Sequence, residues 1–121
     1  MKKILITVIG TQQFGEDNDK IELTTVGTIR KTDNYYMICY NEEQEPPSKP
    51  IRAMVKLYKD NSMVEITRSG ETNSCLIVEK SERNLCQYKT AFGDIIMGIF
   101  GKDIESHIEE NNGLIKFSYD I

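Results

Sequence analysis

One basic residue stands where the pattern around it calls for an apolar one. In "MVEITRSGETNS" the residues Val64, Ile66 and Arg68 fall two apart, with Glu65 and Thr67 between them. A β-strand sends alternate side chains to opposite faces, so Arg68 shares the apolar face and points inward. A guanidinium keeps its proton at any physiological pH. It must therefore meet carboxylate, hydroxyl or carbonyl oxygens inside the protein, or else an anion brought from outside. The chain offers Glu71, Tyr88, Thr90 and Glu22 as internal partners. Arg68, Glu71, Tyr88 and Thr90 form the candidate ligand-binding set. Its chemistry would be bidentate recognition of a carboxylate or phosphate on a small molecule. Two plainer roles stay open: Arg68 caps the floor of a filled interior, or a bulge near Gly70 shifts the alternation and turns it outward.

Other residues with chemical potential do not assemble into a known site. His107 is the sole histidine, flanked by Glu105 and Glu109 at strand spacing. Zinc takes three or four His, Cys or carboxylate ligands, and nothing nearby completes such a set, so no metal is expected. With no nucleophile in a strained turn near His107, Ser-His-Asp and Cys-His mechanisms lose their base, and no catalytic residue is assigned. Cys39, Cys75 and Cys86 are odd in number and contain no C-x-x-C pair, so reduced thiols are expected. "GEDND" lacks the spaced ligands and terminal Glu of a calcium loop, and Gly10 and Gly15 precede no Gly-Lys-Ser/Thr. No cofactor is expected.

Composition bounds the remaining classes. A chain of 121 residues supports one domain, residues 1–121, around one core. A formal charge of −4 argues against a partner whose phosphates need Lys and Arg, so nucleic acid is excluded. "MKKILITVIG" imitates a secretory leader, but its apolar run is short and no small-residue cleavage site follows. We read it as a first strand. No stretch approaches the roughly 20 apolar residues of a membrane span, and a cytoplasmic location is expected.

Hydrophobic residues recur at period two throughout, with turn residues between the runs. "KILITVIGT", "DKIELTTVGTIR", "NYYMICYNE", "IRAMVKLYK", "SMVEITR", "CLIVEK", "NLCQYKT", "DIIMGIFG", "DIESHIE" and "LIKFSYDI" read as strands rich in Ile, Val, Thr and Tyr. Short connections favour hairpins, and so an all-β, antiparallel up-and-down barrel of about eight to ten strands. Stepping by two sets Tyr88 and Thr90 on the face of Cys86, and Phe117 and Tyr119 on that of Ile115. The long acidic "EEQEPPSKP" would serve as a lid over one mouth or as a solvated loop. "DIIMGIFG" is apolar on both faces, which suggests burial on both sides or a homodimer through an edge or face.

Taken together, "ITVIGTQ", "GEDNDKIELTTVG", "YYMICYNE", "ITRSGETNS" and "YKTAFGDI" resemble the YwiB-like bacterial domain family of unknown function. The resemblance spans almost the whole chain and implies a calycin-like barrel, related in architecture to lipocalins, in the bacterial cytoplasm, with no catalytic residue to carry over. Two departures stand out: "PPSKPIRAM" replaces a Gly- and Thr-rich stretch before the fourth strand, and "YDI" falls where a further strand would be expected. Such a barrel is expected to bind a small apolar, amphipathic or anionic ligand. The alternative is a filled structural barrel that acts through protein–protein contacts.

Overall fold

The period-two pattern becomes nine strands in a computed structural model that describes residues 2–43, 46–47, 49–70, 73–90 and 92–121. They are β1 (Lys2–Phe14), β2 (Asp17–Lys31), β3 (Tyr35–Glu42), β4 (Ile51–Tyr58), β5 (Met63–Ser69), β6 (Ser74–Glu79), β7 (Arg83–Thr90), β8 (Gly93–Ile108) and β9 (Asn112–Asp120). No helix long and apolar enough to cross a membrane occurs among the described residues. Each strand pairs antiparallel with the next, and β1 closes the barrel against β9. That last seam is parallel, running from Leu5 opposite Asn112 to Gln13 opposite Asp120. The reason is arithmetic: in an up-and-down order with an odd number of strands, the first and last must point the same way. Thus β9 itself completes the wall, and the further strand implied by the resemblance is not needed for closure.

The expected barrel forms with nine strands because two expected ones are continuous. "DIIMGIFG" and "DIESHIE" join as β8, whose pairing with β9 slips between Gly101 and Ile104. An irregularity of this kind bends a strand without ending it. Gly101 makes the bend feasible, since a Cβ there would lie 2.1 Å from the Glu79 carbonyl oxygen. The β1–β2 hairpin is tighter than the sequence suggested. Phe14 pairs with Asp17 across a two-residue loop in which Gly15 has φ near +60°, a conformation that glycine adopts without steric cost.

Inward positions fill one end of the barrel. Ile4 and Ile6 early in β1, Ile38 in β3, Val55 and Leu57 in β4, Val64 in β5, Val78 in β6 and Ile115 in β9 are buried to 1% exposure or less. A fully buried side chain of this size stabilises the fold by roughly 1.5–3 kcal/mol relative to exposure. Backbone bonds between neighbouring loops seal the same end, from Lys59 N to Asn34 O and from Lys80 N to Ser62 O, both 2.9 Å. Ser106 Oγ adds a side-chain bond to Asn61 Oδ1 at 2.6 Å.

One seam of the wall differs from the rest. Between β6 and β7 the described residues form a single ladder pair, Ser74 opposite Tyr88. The Cys86 thiol stands in for the missing ladder: its Sγ lies 3.2 Å from Ile77 N, which donates to it, and 3.8 Å from Ile77 O. Cys86 is buried, and burial pushes its thiol pKa up. All three cysteines are free.

Candidate functional site

At the other end the inward residues leave space. Toward the β1–β2, β3–β4, β5–β6 and β7–β8 connections the barrel holds a cavity of about 520 Å³, within the range of small-molecule pockets. Val8, Ile66 and Phe117 form its floor, with Leu23, Leu76 and Met97 on the walls. Gly10 lets the floor exist. Its strand partner is Phe117, and a Cβ at position 10 would lie 2.9 Å from that ring. The rim is polar, made of Gln12, Asp19, Glu22, Glu42, Arg68, Ser74, Tyr88 and Tyr119. A smaller depression of about 290 Å³ lies on the outer wall beside Lys3, Thr28, Asn41 and Arg52.

Arg68 enters this cavity from the end of β5, as its alternation with Val64 and Ile66 requires. Its Nη2 donates to Glu42 Oε2 on β3. The two strands are not neighbours, and the register explains how the side chains meet. Tyr40, Ala53 and Arg68 lie side by side across β3, β4 and β5, and the small Ala53 leaves Arg68 room to reach over β4. The Glu42 side chain is 19% exposed and that of Arg68 42%. Arg68 Nε finds no hydrogen-bond partner among the described residues.

Three tyrosines complete the polar inventory. Tyr40 is 7% exposed, and burial followed by the nearby Glu42 carboxylate pushes its pKa up to about 12, although Arg68 opposes the shift. Tyr119 donates to Gln12 Oε1 at 2.9 Å, and burial, then Tyr88, raises its pKa to about 12. Burial also raises that of Tyr88. The phenols therefore stay neutral at physiological pH and offer hydroxyls and ring faces rather than charge.

Of the residues singled out from the sequence, Arg68 and Tyr88 meet at the cavity, whereas Glu22 borders it from a position whose register with Ile9 turns the side chain outward. Glu71 lies outside the described residues, as does the side chain of Thr90. Glu42, the actual partner of Arg68, was missed. The signal was available in the step of two through Ile38, Tyr40 and Glu42, which repeats the Val64–Ile66–Arg68 pattern. The segment read as a lid begins at Glu42 itself, and Gln44, Glu45 and Ser48 within it are outside the described residues. His107 sits on the outer wall, bonded to Glu109 Oε1 at 2.8 Å. No cluster of three metal-ligating side chains occurs among the described residues. "DIIMGIFG" is not buried on both sides: Ile99 is fully buried, whereas Ile95 and Ile96 are 51% and 65% exposed.

Fold and cavity together define a small up-and-down β-barrel, blocked at one end and hollow at the other. The chain belongs to DUF1934, a domain family of unknown function, whose sequence profile matches residues 6–121. The crystal structure of the ywiB protein from Bacillus subtilis is similar, with a TM-score of 0.71 and 24% identity over 88% of this chain and 72% of that one. That likeness concerns the fold. No curated protein matches the chain.

Proposed function

We propose that the barrel binds one small amphipathic molecule, with its apolar part in the cavity and its polar end at the rim. The observation that supports this is the division of one cavity of about 520 Å³ into an apolar floor and walls and a polar mouth. A merely structural barrel would gain stability by filling that space, since buried voids forfeit packing contacts. The protein would act as a carrier or sensor rather than a catalyst. Free thiols are consistent with a reducing, cytoplasmic setting. The test is titration of the purified chain with an apolar dye that fluoresces out of water, beside a Leu76→Trp variant that fills the cavity. Saturable binding at one site, lost in a Leu76→Trp protein of unchanged circular dichroism, supports the reading. Absence of binding to the unmodified chain defeats it.

A second reading rests on a different surface. The β7–β8 hairpin exposes Leu85, Ile95 and Ile96, at 75%, 51% and 65%. Apolar groups gathered on one hairpin favour a partner surface, here a second copy of the chain. Light scattering at rising concentration tests it, and a monomer throughout removes it.

A further inference from the structure

The charges around the cavity point to the polar end of the guest. We infer that the barrel takes an organic ammonium: an apolar molecule that carries a primary or quaternary amine. This rests on the reading of the cavity as a binding site and names the class of ligand.

The charge count decides the sign. Asp19 and Glu42 turn two carboxylates to the cavity side of the wall against the single guanidinium of Arg68, a formal balance of −1; Glu22, paired with Ile9, faces outward. No lysine lines it, and none of the seven residues outside the description is basic. Moreover, Arg68 is already engaged by Glu42. A carboxylate or phosphate guest would find the Nε of Arg68 without a partner among the described residues, but would meet it beside the carboxylates of Glu42 and Asp19, whose like charge repels it. An ammonium guest leaves the Arg68–Glu42 pair intact and meets Asp19, which is exposed at the mouth.

The aromatic lining gives a second and independent reason. Tyr40, Tyr88, Phe117 and Tyr119 all contribute to the cavity. Ring faces carry negative potential that attracts cations, and aromatic cages are a common means of holding quaternary ammonium groups. Tyr40, only 7% exposed, borders the cavity beside Glu42 and adds to this lining.

The experiment compares guests that share one tail. Decylamine, decyltrimethylammonium, decanol and decanoate, each below its micelle concentration, compete with the apolar dye for the full chain at low salt. We expect both ammonium compounds to bind at least tenfold more tightly than decanol and decanoate, with the preference shrinking as salt is added. An Asp19→Asn variant, altered only at an exposed position, should lose most of that preference and still bind decanol. Equal affinities across the panel, or decanoate binding most tightly, would overturn the ammonium inference and leave the cavity reading standing. So would an undiminished preference in that variant. Ammonium binding that persists in the cavity-filled Leu76→Trp protein would overturn it as surface attraction to an acidic chain. Failure of all four compounds to displace a dye that does bind also overturns it, whereas failure of the dye itself defeats the parent reading.

Discussion

The sealed and hollow ends of the barrel follow the same inward–outward alternation but carry it to different results. At the sealed end the inward positions are Ile4, Ile6, Leu57, Val64 and Val78, β-branched or branched apolar residues buried to 1% or less, and the loops above them bond to one another. At the hollow end the same strands continue inward with Gly10, Gln12, Glu42, Arg68, Ser74 and Tyr88. The contrast teaches that a barrel wall needs only half its length packed. Packing at one end supplies the stability, and the other end is free to hold groups chosen for something other than cohesion.

Truncation at the two ends should break this symmetry most visibly. Ile38→Ala, at a fully buried position, is expected to cost about 2–5 kcal/mol in urea denaturation, through lost transfer energy and the void left behind. Leu76→Ala, at a half-buried cavity wall, should cost less than about 1.5 kcal/mol, because its neighbours already face space. Equal losses at the two sites would mean that the hollow end is packed in solution.

Alkaline titration probes the phenols of the hollow end. Tyr40 and Tyr119 each have a folded pKa raised to about 12 from 10.0. The folded state then holds these protons more tightly than the unfolded chain. Their contribution, about 2 kcal/mol each, is fully present below pH ~10 and lost as pH rises toward ~12. Stability measured across that window should fall, and Tyr40→Phe should reduce the slope. A flat profile would contradict the burial of these hydroxyls.

Arg68→Met comes next. It leaves the Glu42 carboxylate unpaired beside Tyr40, and a loss of about 1–2 kcal/mol is expected, smaller than for a fully buried pair because Arg68 is partly solvated. Adding Glu42→Gln to that variant should recover part of the loss in the same denaturation assay. A stabilised single variant would show instead that the guanidinium was held without sufficient partners. The smallest effect belongs to the outer wall. Glu109, whose carboxyl pKa His107 lowers, should add slight stability above the ordinary carboxylate range that fades as the pH falls below it. Comparing acid denaturation of His107→Gln with the parent chain would detect it as a small upward shift of the acid midpoint.

Much of this was legible from spacing alone, and the limits have physical causes. Period two placed Arg68, Tyr88, Phe117 and Tyr119 inward because alternation is a local property of a strand. It did not pair Arg68 with Glu42, since that contact depends on which strands lie side by side and on Ala53 being small between them. The union of two expected strands into β8 was likewise hidden, because Gly101 reads as a strand end, with Lys102 left between the two runs, until Gly101 is seen against Glu79. The charge balance of the cavity lay beyond any local rule. It sums carboxylates from β2 and β3 that only barrel closure brings to one mouth.

The sulfur that replaces a ladder bond between β6 and β7 makes the wall a zip with one loose tooth. The Ile77 amide, held by a thiol rather than a carbonyl, should exchange its hydrogen sooner than the amides of β4 and β5, where the ladder is continuous. Because Cys86 is buried, an alkylating reagent can reach it only when that seam parts. The rate at which Cys86 is labelled thus becomes a clock for breathing of the barrel. A guest that props the strands together should slow it without touching the sulfur.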